Sequence, residues 1–208
     1  MENRSILRSS AVGPWQTNAY ALVCPQSRKS ALIDPGGDPD RLAAILADSQ
    51  PEVILVTHSH PDHIGALSEM RQRLNAPVMA HAGKAANIET KPDRWIESGD
   101  HIIFGAQRLS VRHTPGHCDD QVCFIIENDS RVFVGDTIFE GGPGKTWSPS
   151  DFKTTLATLS NTVLTWSDDT ICYPGHGTSF RFGDIREQIE TFVRKDHGDF
   201  FGDATWGM

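Results

Sequence analysis

Four shortages in this chain each exclude a class of protein. Basic residues are outnumbered, 19 Lys and Arg against 27 Asp and Glu, and the net charge of −8 has the wrong sign for tracking a phosphate backbone. No nucleic-acid partner is expected. Cysteine is sparse: Cys24, Cys118, Cys123 and Cys172 are too few and too scattered for a disulfide scaffold and read as small core or near-core groups. Long apolar runs are missing, so nothing approaches a membrane span, and the start Met1-Glu2-Asn3-Arg4-Ser5-Ile6-Leu7-Arg8 lacks the apolar stretch of a secretion signal. A cytoplasmic protein without a membrane partner is the expectation. Internal repeats and low-complexity linkers are also lacking. What remains is an ordinary globular composition, 38% hydrophobic and 22% charged over 208 residues, read as a single domain spanning 1–208.

Histidine, by contrast, is plentiful, with nine in the chain. His58, His60, Asp62 and His63 crowd into the run Val56-Thr57-His58-Ser59-His60-Pro61-Asp62-His63. Imidazole nitrogens and carboxylate oxygens are the ligands that divalent zinc and iron prefer, and packing four so tightly has little structural use. Side chains two apart on an extended segment point the same way, so His58 and His60 can grip one ion. Asp62 and His63 fall where the chain turns into a helix and can reach a second.

The surrounding pattern mixes strands and helices. Ile6 to Val12, Tyr20 to Cys24 and Ser30 to Ile33 read as short strands between Gly, Pro and Ser turns. Asp38-Pro39 opens a helix with a capping Asp and Pro at its first position, followed by Leu42, Ile45 and Leu46 on one face. Val53 to Val56 is a continuous apolar run, as in a strand covered on both sides. Asp62 to Leu74 reads as one helix and Pro77 to Ala80 as a strand. Further strands fall at Val111, Val122 to Ile126, Val132 to Val134 and Thr170 to Tyr173. Ser148-Pro149 caps a helix with Phe152, Leu156, Leu159 and Val163 on its apolar face, and Ile185, Ile189, Phe192 and Val193 mark the last one. The order suggests an α/β fold of two sheets packed face to face with helices outside.

Three more candidate ligands sit at strand ends: His117 in Thr114-Pro115-Gly116-His117, Asp136 after Val132-Phe133-Val134-Gly135, and His176 in Tyr173-Pro174-Gly175-His176-Gly177. A Gly before each lets backbone approach a crowded site, and strand ends along one rim are where sites in mixed folds gather.

With these segments in hand, the chain resembles the metallo-β-lactamase fold superfamily, and within it the hydroxyacylglutathione hydrolase (glyoxalase II) branch. The resemblance extends to Ile33-Asp34-Pro35-Gly36-Gly37, similar to that family's early turn. It implies an αββα sandwich with two divalent metal ions between the sheets, zinc as the first choice, iron and manganese also matching the ligands. His58, His60 and His117 would hold one ion, Asp62, His63 and His176 the other, and Asp136 would bridge them. The implied reaction is hydrolysis of a thioester or related ester by water activated between two metals about 3.5–4 Å apart, with Asp62 orienting that water and relaying its proton. A thiolate needs little protonation on leaving, which suits a site with no other obvious acid.

Substrate residues follow from the same resemblance. Gly142-Pro143-Gly144-Lys145-Thr146-Trp147 matches the branch's Gly-x-Gly-Lys loop, so Lys145 would meet a glutathione carboxylate and Trp147 stands at an aromatic position. Against full-length enzymes of the branch, Thr178 replaces a Tyr and the chain stops soon after His176, as in the short single-domain hydrolases. Asp34 reads either as a turn carboxylate or as an acceptor for a ligand imidazole N–H. Cys118, Asp119 and Asp120 can line the pocket. His81, His101, His113 and His197 read as non-ligands, with His113 the one open to misassignment, and Trp206 as packing on the domain or on a partner chain.

Rival functions are a mono-iron persulfide dioxygenase using the positions of His58, His117 and Asp136, a lactonase or β-lactamase, an RNA-cleaving relative, and a non-catalytic metal-binding protein. The ligand set at the second site argues against the dioxygenase. The bridging Asp136 argues against a β-lactamase. The short Asp136–His176 interval and the charge argue against the nuclease.

Overall fold

The computed structural model describes residues 4–83 and 89–208; residues 1–3, where the reading for a leader begins, lie outside them. Two six-stranded sheets face each other. The first contains, in spatial order, β1 (Ile6–Val12), β2 (Thr17–Val23), β3 (Lys29–Ile33), β4 (Gln50–Leu55), β5 (Val78–His81) and β6 (Arg94–Ile96). Strands β1 to β3 form an antiparallel meander, and from β3 to β6 the pairing is parallel. Parallel neighbours need crossovers, and those flanking β4 carry α1 (Pro39–Ile45), then α2 (Pro61–Ile64) and α3 (Leu67–Leu74).

The second sheet is ordered β14 (Phe180–Arg181), β13 (Ile171–Pro174), β10 (Arg131–Gly135), β9 (Val122–Ile126), β8 (Gln107–His113) and β7 (His101–Phe104). Its pairs are antiparallel except β10 with β13, whose crossover holds the two-stranded ribbon β11 (Ile138–Phe139) and β12 (Gly142–Pro143) and the helix α4 (Pro149–Asn161). Helix α5 (Arg186–Arg194) follows β14.

Strand β4 shows why the layers stack this way. Val53 and Leu55 point into the core between the sheets, with Phe104, Phe124 and Phe133. Ile54 and Val56 point the other way, under Leu42 of α1 and Leu67 and Met70 of α3. Burying each such side chain contributes roughly 1.5–3 kcal/mol, and a one-residue slip would exchange the two faces. A third core joins the second sheet to α4 and α5 through Phe152, Leu159, Ile189 and Phe192. The expected αββα sandwich is what these layers form.

The structure departs from the expected elements in a few places. The single helix over Asp62 to Leu74 is two, because the chain breaks at Gly65-Ala66: the Ala66 amide bonds the Pro35 carbonyl at 2.8 Å in place of an intrahelical acceptor. Asp38 does precede α1, but its carboxylate accepts from the Gly13 N–H at 2.8 Å and makes no cap bond to the helix. Ser148 caps α4 as expected, accepting from the Asp151 N–H at 3.1 Å. Strand β2 begins at Thr17, earlier than its apolar stretch suggests, because Thr17 and Asn18 pair with Val12 and Ala11. Strands β6, β7, β11, β12 and β14 carry two to four residues each and leave no clear periodicity to read.

Candidate metal centre

The seven expected ligands arrive from five places along one rim. Strand β4 ends at Leu55 and delivers His58 and His60; α2 carries Asp62 and His63; His117 follows β8, Asp136 follows β10 and His176 follows β13. Position along the rim alone would not bring their atoms together. Two glycines allow the last approach: a Cβ on Gly36 would lie 1.9 Å from the Asp62 carbonyl oxygen, and one on Gly175 would lie 2.1 Å from Asp136 Oδ1. Any other residue at either position would push a ligand-bearing segment away.

The resulting geometry is close. His60 Nδ1 lies 3.0 Å from His58 Nε2 and 2.9 Å from His117 Nε2. His176 Nε2 lies 3.2 Å from Asp62 Oδ2, and His63 Nε2 lies 3.6 Å from the same oxygen. Asp136 stands between the two trios, with Oδ2 3.6 Å from both His117 Nε2 and His176 Nε2 and Oδ1 3.4 Å from His63 Nε2. Within reach of a common ion are His58, His60, His117 and Cys118; His58, His63 and Asp136; and Asp62, His63 and His176.

Behind this face, a buried scaffold sets which nitrogen each imidazole presents. Asp34, buried and at φ 52, accepts from the Thr57 N–H at 2.8 Å, the Thr57 hydroxyl at 2.7 Å and His63 Nδ1 at 2.9 Å. That settles the two readings of Asp34 in favour of the imidazole acceptor. The Thr57 hydroxyl in turn lies 3.1 Å from His58 Nδ1, and the Lys145 carbonyl accepts from His117 Nδ1 at 2.7 Å. His58, His63 and His117 therefore turn Nε2 toward the centre. Thr17 donates to Asp62 Oδ2 at 2.9 Å.

Charge balance in the cluster follows from these contacts. Burial, then repulsion from His63, His117 and His60, holds His58 well below the usual imidazole range, and burial with repulsion from His117 and His63, against the pull of Asp136 and Asp62, brings His60 down to about 4. Burial also opposes a charge on His63, but Asp34 and Asp136 outweigh it and lift that group to about 10. Asp62 and Asp136 are held below their ordinary range although burial would raise them. His176 and His63 oppose burial at Asp62, and His63, His117 and His176 oppose it at Asp136. Asp62 raises His176 in return. The carboxylates are thus kept anionic beside imidazoles, as ligands for a cation must be.

The residues present fit divalent metal. Buried His63 Nε2 and Asp136 Oδ1 face each other at 3.4 Å but, among the described residues, neither makes a well-formed hydrogen bond, which leaves both atoms able to take a cation between them. An imidazole–carboxylate donor set of this kind is one that zinc, iron or manganese accepts.

The centre floors an open cleft of about 880 Å³. Trp147 lies at its edge, its ring 6.4 Å from that of His60, and Lys145 Nζ stands 5.1 Å above the Trp147 ring. The Lys145 ammonium is paired with Asp203 Oδ2 at 3.1 Å. The structure therefore brings both expected substrate residues to the cleft, with a carboxylate already on the lysine.

Other candidates separate cleanly. His113 donates from Nε2 to the Asp119 carbonyl at 2.7 Å and stacks on His81, outside the three groups; His101 pairs with Glu127, and His197 packs on Phe152 and Phe192. Asp120 accepts the Ser59 N–H at 2.8 Å and so fixes the backbone between two ligands. Trp206 is buried against Phe192, and its indole N–H donates to the Phe139 and Glu140 carbonyls at 3.2 and 3.0 Å, which selects packing on its own chain. Sequence reasoning missed Thr17, Thr57 and the Lys145 carbonyl, since hydroxyls and backbone groups carry no motif. It also left Cys118 outside the ligand-capable set, although Sγ lies 3.2 Å from His60 Nε2 and adjacency to His117 was the available signal.

Fold and donor set together define a metal-dependent enzyme class, and comparison with known proteins gives the family. The metallo-beta-lactamase superfamily model matches residues 12–176, and the chain belongs to that superfamily. Among curated relatives it is 32% identical over 190 residues to the probable metallo-hydrolase YqgX of Bacillus subtilis, covering 82% of this chain and 89% of that protein. It is 29% identical over 184 residues to the hydroxyacylglutathione hydrolase GloC of Haemophilus influenzae, covering 78% and 87%. Among solved structures, that of TTHA1623 in a di-iron-bound form superposes with a TM-score of 0.71 at 31% identity, covering 86% of this chain and 96% of the other. Among the described residues, no helix is long and apolar enough to cross a membrane.

Proposed function

We propose that this protein is a cytoplasmic binuclear hydrolase that cleaves a small-molecule thioester of the S-acylglutathione class, or a related ester. One observation carries the reading: two trios of ligand-capable side chains meet at the floor of one cleft, with Asp136 between them. His58, His60 and His117 would hold one ion, Asp62, His63 and His176 the second, and Asp136 both, with zinc first and iron or manganese as alternatives. Two such ions supply water acidified enough to act as a nucleophile at neutral pH, together with polarisation of a carbonyl.

The chain's own groups do the rest. Asp62 reaches the cleft from α2, and the Thr17 hydroxyl and His176 keep its Oδ2 ionised and oriented. That oxygen can align a water molecule and take its proton. Apart from the centre, Lys145 and Asp203 are the charged side chains lining the cleft among the described residues, and neither stands as an evident acid for a poor leaving group. A thiolate leaves without one. Lys145, above Trp147 at the rim, suits an anionic group on the thiol half once it exchanges Asp203 for that group. The relationship to a hydroxyacylglutathione hydrolase supports the same class.

The test is turnover of S-lactoylglutathione, simple thioesters, lactones and glutathione persulfide by one metal-analysed preparation. Thioester hydrolysis with two metals per chain is expected. A single iron with oxygen consumed on the persulfide would replace this reading with a dioxygenase, and metal without turnover on any ester would make the protein a binder.

A further inference from the structure

We propose that the cleft selects substrates whose acyl group is bulky and apolar, a medium-length alkyl or aryl chain, seated against Trp15 and Phe139 on the His176 side of the centre. The inference rests on the hydrolase reading and names the half of the substrate that reading leaves open.

Three observations carry it. First, the cleft exposes large apolar side chains at both ends, Trp147 by the proposed thiol half and Trp15 where a small hydroxyacyl group would not need one. Trp15 is 72% exposed and Trp147 56% exposed, and both line the cleft. Exposed tryptophan concentrated at one concavity marks a surface that is covered in use. Second, the turn that carries Trp15 is tied to the frame. It sits in the turn between β1 and β2, where the Gly13 N–H donates to Asp38 and the Gln16 N–H to the Gly13 carbonyl. Just beyond it, Asn18 ties the start of β2 to the His176 loop, donating from its backbone to the Gly175 carbonyl at 2.7 Å and from Nδ2 to those of Pro174 and Gly177 at 3.0 and 2.8 Å. An anchored turn keeps the indole beside the cleft, so less backbone freedom is lost on binding.

Third, the two sides of the cleft differ in polarity. On the His60 side Trp147 carries Lys145 above it, and Lys145 pairs with Asp203. On the His176 side stands Phe139, its ring 6.3 Å from that of His176, while the charged side chains that line the cleft outside the centre, among the described residues, are the paired Lys145 and Asp203. A charged thiol half belongs under Lys145, so the acyl half faces the uncharged aromatic wall. A lactoyl or acetyl group would leave that wall in water.

The experiment compares S-acetyl, S-lactoyl, S-butyryl, S-octanoyl and S-phenylacetyl thioesters of one thiol on the metal-loaded protein, together with binding of octanoate and acetate followed by tryptophan fluorescence. Expected is a rise in kcat/KM with chain length, up to about fourfold for each methylene that is fully buried, and octanoate binding at concentrations where acetate does not. Trp15→Ala should lower the octanoyl-to-acetyl ratio and weaken octanoate. A flat or falling series, or octanoate bound no better than acetate, overturns the inference. If no thioester turns over, the hydrolase reading fails, and the octanoate and acetate comparison still decides whether the cleft takes an apolar chain.

Discussion

The floor of the cleft and its mouth are built by different rules. On the floor, each fixed imidazole is held from behind: buried Asp34 holds His63, the adjacent Thr57 hydroxyl, itself bonded to Asp34, holds His58, and the Lys145 carbonyl holds His117. At the mouth, Lys145 has one ion pair with Asp203, which is 79% exposed, and Trp15 stands largely in solvent. Buried polar networks are strongly sensitive to the loss of any member, whereas exposed pairs contribute little. On the proposed function, the floor would determine which metals bind and which bond is cleaved, and the mouth which molecule enters.

Substitutions can break that division, the largest effect first. Gly36→Ala places a methyl where the Asp62 carbonyl lies, at 1.9 Å, so either α2 or the turn must move. We expect loss of the second ion and of turnover, with unfolding destabilised by about 1–3 kcal/mol as in other overpacked sites; metal analysis and urea denaturation read both. Removal of metal by chelation should lower the thermal midpoint by about 10 °C, since ligand bound at a thousandfold its dissociation constant adds ~4 kcal/mol. A calorimetric scan before and after readdition of zinc checks it.

Asp34→Asn tests the scaffold without replacing a ligand. Its side chain offers one acceptor oxygen to three donors, Thr57 N–H, Thr57 hydroxyl and His63 Nδ1. Metal affinity should fall about 10- to 100-fold, the usual cost of removing a carboxylate behind a ligating imidazole, as measured by competition with a chromogenic chelator. The smallest effect belongs to the mouth. Asp203→Asn frees Lys145 and should lower KM for a thioester with an anionic thiol by a factor of up to about five, with metal content unchanged and stability within about 0.5 kcal/mol. A fall in metal affinity here would mean that mouth and floor are coupled.

Much of the floor was legible because its residues obey spacing. The His58 to His63 cluster and the His117, Asp136 and His176 turns announce themselves by residue type at strand ends, and β4 by its unbroken apolar run. The supports were less legible. Thr17 and Thr57 carry ordinary hydroxyls in sequence, and the Lys145 carbonyl is invisible there, because the bonds of Thr17 to Asp62, Thr57 to Asp34 and Lys145 to His117 exist only once remote segments are adjacent. The break in the helix after Ile64 was hidden for the same reason: Leu67, Met70 and Leu74 keep a helical period, while the acceptor that captures the Ala66 amide comes from the Pro35 turn. Asp203 lies on a tail without periodicity, and only the fold sets it beside Lys145.

The central claim is met most directly by counting metal per chain, by elemental analysis, in the wild type and in Asp62→Ala purified side by side without chelator. Two ions in the first and one in the second, with hydrolysis lost, is the predicted outcome. One ion in the wild type, or a variant that keeps both ions and full turnover, would contradict the account.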